Sequence, residues 1–238
     1  MVDLNCDLGE GGLDDIKLMP YLTSCNISCG AHAGSEAVIT TAIQAAKMNQ
    51  VKIGAHPSYP DRENFGRKVL NIPLAELQIS LVQQMTYFKD LLDKQDASIH
   101  HVKPHGALYN QAALDPETAN CVIKAVQQVF PFAIIYTLEN GELEKAAHRH
   151  GLDSWSEGFA DRNYTDELKL VSRNLPHAVL TEKEKILAHV ASMIKDHKIV
   201  TENGKAIPAK IQTLCIHGDN PNALEIAKFI RKNFPKFE

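Results

Sequence analysis

The sequence predicts an α/β barrel, because short apolar strands alternate with long amphipathic helices and nearly every strand ends in polar side chains. Strands alternating with helices imply a mainly parallel sheet. An open sheet would concentrate functional residues near one switch point, whereas a barrel gathers the ends of all its strands around one mouth. The polar strand ends are spread along the whole chain: Asn5 and Asp7, Asn26, His56, Lys103 and His105, Glu157, then His217 and Asp219. Seven strands are readable, one short of the usual number, so an incomplete or distorted barrel is expected.

Taken in order, the strands are expected at residues 2–5, 25–28, 51–55, 99–103, 133–137, 154–158 and 213–217. A short helix starts near Asp14, and longer ones are expected at 36–49, 74–94, 116–130, 141–150, 183–197 and 222–234. Pro73 and Pro116 suit first-turn positions, and Asp115 is a good N-cap for the helix that follows. Leu77, Leu81, Met85, Phe88 and Leu92 recur every three or four residues and mark a buried helical stripe. His148, Arg149 and His150 before Gly151 read as a cationic helix end. The long polar segment 159–180 breaks the rhythm and is expected to form a loop over the mouth. Asn203-Gly204 and Pro208 predict a small hairpin or turn within 201–210.

The 238 residues are 44% hydrophobic and 23% charged, enough for one large core, and a single domain spanning 1–238 is expected. A formal charge of −4 speaks against a nucleic-acid binder. The basic run Arg231, Lys232 and Lys236 reads as the solvated end of a terminal helix. No apolar run approaches the ~18 residues of a membrane span, and the Met1-Val2-Asp3 opening has no leader-like apolar region. The five cysteines are odd in number and scattered, which argues against a disulfide framework. Cys25 and Cys29 fit inert buried thiols better than metal ligands. A cytoplasmic protein is expected.

Four histidines, His32, His56, His105 and His217, lie within two residues of glycine or proline near strand ends, with Asp7 and Asp219 nearby. A lone histidine is most often a satisfied core residue, but four at one barrel end weaken that account. They suit either metal ligation or acid–base work, since imidazole titrates near neutrality. With no tight His pair of metal-binding spacing, acid–base roles are preferred and no tightly bound metal is expected. Lys103 closes an apolar strand, where a cation needs a carboxylate or an anionic ligand as partner, and Glu157 or Asp161 could supply it. Arg162 fits an ion pair with Asp161 as well as it fits a ligand role. The segment Asp7-Leu8-Gly9-Glu10-Gly11-Gly12 has the look of an anion-binding turn, although it lacks the Gly-Lys-Ser/Thr of a phosphate loop.

Several stretches resemble the LamB/YcsF family, whose members form the A component of 5-oxoprolinase. They are DLNCDLGEG from Asp3, SCNISCGAHAG from Ser24, GAHPSYPDRENFGR from Gly54, HVKPHGALYN from His101, FADRNY from Phe159, SRNLPHAVL from Ser172 and CIHGDNP from Cys215. The chain departs from the family pattern in a short segment after Gly12 and in Ala31, where phenylalanine is customary. The resemblance implies a seven-stranded β/α (TIM-like) barrel of the glycoside hydrolase/deacetylase type. It also implies ATP-dependent opening of 5-oxo-L-proline to L-glutamate, with ATP and its Mg as cofactors and subunits B and C as partners. On that reading Asp7 and His105 transfer protons, supported by His56 and Asp219. Lys103 and Arg67 meet the substrate carboxylate or a phosphate, and Asn26, His32, Glu157, Arg162 and His217 complete the binding set. The rival readings are a stand-alone metal-dependent deacetylase or amidase and a non-catalytic metabolite-binding regulatory subunit.

Overall fold

Strand β1 (Asp3–Leu8) shows how alternation builds the molecule. Successive strand side chains point to opposite faces. Leu4, Cys6 and Leu8 join the hydrophobic core. Asp3, Asn5 and Asp7 face the other way and bond to polar side chains of neighbouring strands. Strand β2 (Ser24–Ser28) repeats the pattern, with Cys25 and Ile27 in the core and Ser24 and Asn26 bonded to β1. The apolar core therefore lies between strands and helices, while the space enclosed by the strands is polar.

The computed structural model describes every residue except Met1, Leu13, Pro221, Lys236 and Glu238. Met1 of the opening segment, Pro221 of the last motif and Lys236 of the basic run lie outside the described residues. The strands β1, β2, β3 (Lys52–His56), β4 (Ile99–Val102), β5 (Ile134–Thr137), β6 (Ser154–Phe159) and β9 (Thr213–Ile216) form a closed parallel barrel in that order. β9 returns to pair with β1, with Asp3 opposite Thr213. The expected hairpin is present as antiparallel β7 (Lys198–Val200) and β8 (Ala206–Pro208), outside the barrel.

Helices α1 (Asp15–Leu18), α2 (Glu36–Met48), α3 (Leu74–Lys94), α5 (Pro116–Val129), α6 (Glu142–Arg149), α7 (Lys183–Lys195) and α8 (Ala223–Asn233) fall near their expected places. Asp115 caps α5 by accepting from the Thr118 N–H, and Leu77, Leu81, Met85, Phe88 and Leu92 are the buried face of α3. One helix is additional to those expected: α4 (Gly106–Leu114) begins inside the His105 motif and runs almost into the cap of α5. Among the described residues no helix is long and apolar enough to cross a membrane.

The floor of the barrel is a polar plug. Asp3 Oδ2 accepts hydroxyl bonds from Thr213 (2.6 Å), Ser24 (2.7 Å) and Tyr136 (3.3 Å), and its Oδ1 accepts from Thr23 (2.7 Å). One carboxylate thus ties together β1, β2, β5 and β9. Above it the His101 ring stacks on Tyr136, with centroids 3.8 Å apart, and donates to Asn26 Oδ1 at 2.7 Å. Gly54 makes room for that ring, since a Cβ there would lie 2.1 Å from His101 Nε2. Replacing Asp3 with Ala should cost about 3 kcal/mol, because bonds to a charged acceptor contribute ~1.5–3 kcal/mol each against the cost of burying it. Denaturant unfolding checks this, and a loss below about 1 kcal/mol would mean that burial cost cancels the bonds.

Candidate active site

The C-terminal ends of the strands open on a cavity of about 300 Å³. Its deepest charged group is Lys103, just beyond β4 and buried. The ammonium lies 2.9 Å from Asp7 Oδ1, 2.9 Å from Glu157 Oε1 and 3.1 Å from Cys215 Sγ. Burial alone would discharge this lysine, but Asp7, Cys215 and Glu157 overcome it and hold its pKa well above the ordinary value. Asp7 is the counterpart: burial opposes its charge, yet the Lys103 ammonium above all holds its pKa well below the usual carboxylate range. Asn26 donates to Asp7 Oδ1 at 2.8 Å and fixes the carboxylate from beneath.

Beside Asp7 stands a group of three imidazoles and one more carboxylate. His56 Nδ1 donates to the Lys103 carbonyl (2.7 Å), and its Nε2 lies 3.5 Å from Asp7 Oδ2. His105 precedes α4, and its Nε2 donates to the Phe65 carbonyl at 2.9 Å. A Cβ on Gly106 would meet the Gly66 carbonyl at 2.8 Å, and its φ of +53° is one that glycine adopts freely, so the backbone here packs closely. His32 stacks on His105 at 3.8 Å and holds Glu10 Oε1 at 3.0 Å. Burial and the neighbouring rings drive His105 well below the ordinary imidazole pKa, and burial foremost takes His32 down to about 3. Glu10 moves the opposite way: burial, then the Asp7 charge, raise it well above the usual carboxylate value.

The rim carries the remaining charges. Arg67 and Arg173 both bond to Asp219 Oδ2, the latter at 3.0 Å, so one carboxylate bridges the loop after β3 and the loop after β6. His217 donates from Nδ1 to Asp161 Oδ1 at 2.8 Å and stacks on Phe159. Asn220 adds a bond to Asp161 at 3.0 Å, and these partners hold the Asp161 pKa down against burial. A carboxyl whose folded pKa lies below its unfolded value of about 3.9 contributes stability above that value and loses it as pH falls through the folded pKa. Asp161→Asn should therefore be less sensitive to acid than the parent below about pH 4, as urea unfolding across that range would show.

The structure brings all eleven sequence-predicted residues to this end of the barrel, in two settings. Asp7, His56, Arg67, Lys103, His105, Arg162, His217 and Asp219 line the cavity. Asn26, His32 and Glu157 stand directly behind it, bonded to or stacked on Asp7, His105 and Lys103. Asp219, expected to support proton transfer, sits between two arginines at the rim. Arg162 does not pair with Asp161; it donates to the Ala178 (3.2 Å) and Val171 (2.6 Å) carbonyls and lashes the 159–180 loop together. That loop does cover the mouth, with Leu170 to Asn174 lining the cavity. The glycine-rich segment is no open anion cradle, because Asp15 already accepts the Gly9 N–H at 2.8 Å.

Sequence reasoning missed Glu10, Arg173 and Tyr109. Glu10 had a signal, since an acidic residue is out of place in an anion-binding turn. Tyr109 sits on the additional helix α4, and burial with the Glu157 charge raises its hydroxyl pKa well above normal. All five cysteines are buried and free, and burial pushes Cys29 up to about 12, which makes it an inert thiol.

Comparison with known proteins agrees with this architecture. The A component of 5-oxoprolinase from Erwinia tasmaniensis is 40% identical over 233 residues, covering 98% of this chain and 95% of that one. The corresponding 5-oxoprolinase component from Bacillus cereus is 37% identical over 240 residues, covering 98% and 94%. The crystal structure of a lactam utilization protein from Thermus thermophilus superimposes with a TM-score of 0.91 at 33% identity, covering 98% of this chain and 96% of that one. The LamB/YcsF family model matches residues 2–237, and the chain belongs to that family.

Proposed function

We propose that this chain is the A component of an ATP-dependent 5-oxoprolinase, which hydrolyses 5-oxo-L-proline to L-glutamate together with subunits B and C. The names of the two 5-oxoprolinase relatives and of the lactam utilization protein support the substrate class. The observation that carries the reading is the buried Lys103 ammonium, held between Asp7 and Glu157 at the base of a cavity ringed by His56, His105 and Glu10. Lactam hydrolysis adds a water oxygen to the ring carbonyl carbon, breaks the C–N bond and returns a proton to nitrogen. It needs a place where water loses its proton and a fixed positive charge for the carbonyl oxygen. The lone pairs converging beside Asp7 supply the first and Lys103 the second. Arg67 and Arg173 are placed to receive the substrate carboxylate as it displaces Asp219.

We infer that ATP binds elsewhere: Asp7 and Glu10 place carboxylates on the inner wall among Arg67, Lys103, Arg162 and Arg173, and the Gly9 N–H is already taken by Asp15. We assign ATP, its Mg and the coupling step to the partner subunits and route no step through nucleotide here. The histidine-rich wall also favours a second reading, a stand-alone amidase or deacetylase that needs no ATP. One assay separates them: glutamate release from 5-oxoproline, with and without ATP and subunits B and C from the same source. The expected result is turnover only in the complete mixture. No turnover in that mixture overturns the proposal, and full turnover by the single chain overturns the need for partners.

A further inference from the structure

The N–H groups of three imidazoles are all committed away from the mouth. His56 Nδ1 faces the Lys103 carbonyl at 2.7 Å and His105 Nε2 faces the Phe65 carbonyl at 2.9 Å. His32 Nδ1 faces Ser58 Oγ at 3.0 Å, whose own proton goes to the Tyr59 carbonyl at 2.8 Å. Carbonyls only accept, so each ring is fixed as a tautomer that presents a lone pair to the mouth. His56 Nε2 and His105 Nδ1 then face each other at 2.9 Å, lone pair against lone pair. Asp7 Oδ2 lies 3.5 Å from the first, and Glu10 Oε1 lies 3.4 Å from the second and 3.9 Å from the first. Such a group repels itself unless a cation lies among its members.

One shared proton does not satisfy the whole group: placed between His56 and His105, it leaves Glu10 Oε1 against the His32 lone pair at 3.0 Å. A protonated Glu10 would relieve its own contacts with His32 and His105 but would leave the His56–His105 pair opposed. We propose that the mouth binds one divalent first-row transition metal of the zinc class through His56 Nε2, His105 Nδ1 and Asp7 Oδ2, with Glu10 Oε1 as a fourth ligand. Imidazole with carboxylate is the donor set such ions take, and outward N–H groups tied to carbonyls are what orient metal-binding histidines. The 2.9 Å spacing suits two ligands ~2.1 Å from an ion at an angle near 90°. His32, stacked on His105, acts as a positioning residue for that ring. The sequence points away from a metal because His56 and His105 lie far apart in the chain; parallel β3 and β4 bring them together. Bound there, the ion would lower the pKa of water and polarise the lactam carbonyl. That catalytic consequence rests on the reading given above, while the binding itself does not.

The test uses the full chain without a histidine tag. Metal content is measured after purification without added metal, and Zn²⁺ alone is titrated by calorimetry into chelator-treated protein. One ion per chain is expected, with affinity falling at least ~10²-fold in His105→Asn and in Glu10→Gln, whose change lies on a loop. His177→Gln, at the separate exposed pair with Glu202, should bind as the parent does. Circular dichroism of each variant confirms folding. Absence of stoichiometric binding by the folded parent overturns the proposal, as does binding unchanged in both site variants. Binding without 5-oxoproline turnover in the complete mixture would sink the proposed function and leave the metal site standing. Turnover by verified metal-free protein would remove the metal from the reaction.

Discussion

Replacing Lys103 with methionine is expected to abolish at least ~10²–10³-fold of turnover in the assembled enzyme and to destabilise the fold as well. The two effects have separate causes. Turnover falls because the fixed charge meant for the carbonyl oxygen is gone, and removal of one such stabilising group costs about that factor. Stability falls because Asp7 and Glu157, both buried, lose the cation lying 2.9 Å from each. Breaking a buried pair by removing one partner costs ~3–5 kcal/mol. A second substitution separates the effects. Lys103→Met with Glu157→Gln leaves one fewer uncompensated carboxylate, so the melting temperature should recover in part while turnover stays low. If the single variant keeps turnover within about tenfold of the parent, Lys103 is a strut of the barrel and nothing more.

His105→Asn is expected to reduce turnover by at least ~10²-fold, whether the ring takes a proton from water or holds the proposed ion. Its backbone N–H donates to the Pro57 carbonyl at 2.8 Å and its ring is clamped by His32 and the Phe65 carbonyl, so Nδ1 is aimed at the cavity. Asparagine keeps a polar group of similar reach but can neither carry a proton nor orient its neighbours as imidazole does. Thermal stability should stay near that of the parent, because the ring lies beyond the end of β4 and outside the hydrophobic core. Turnover within tenfold of the parent would remove His105 from the chemistry, whereas an unfolded variant would make it a core residue.

The strands and most helices are legible because alternation and the caps at Pro73, Asp115 and Gly151 are local signals. Helix α4 is not, because it begins at Gly106 within a segment rich in apparent chemistry and ends one residue short of the Asp115 cap. Strand β1 runs past Asn5, where the sequence pattern ends it, and continues to Leu8 because Asp7 pairs in register with Asn26 of β2. Alternation in β1 is visible, but not which face lies inside. Ordinary experience puts the apolar set in the barrel, and here it faces the helices. The site residues are readable as polar strand ends. Their partners are not, since Lys103 meets Glu157 and Arg67 meets Asp219 only through the closure of the barrel.

That closure also joins segments far apart in the chain. β9 forms two of the seams, one with β6 and one with β1, whose partner residues Asp3 and Thr213 lie at opposite ends of the sequence. Before β9 docks, the six earlier strands make an open sheet with β1 and β6 as bare edges, each a row of unpaired amides able to pair with another chain. Loop closure must come before these distant contacts reward it, which slows barrel formation relative to the helices. β9 is thus the strand whose loss would expose both edges at once, each open to pairing with another chain.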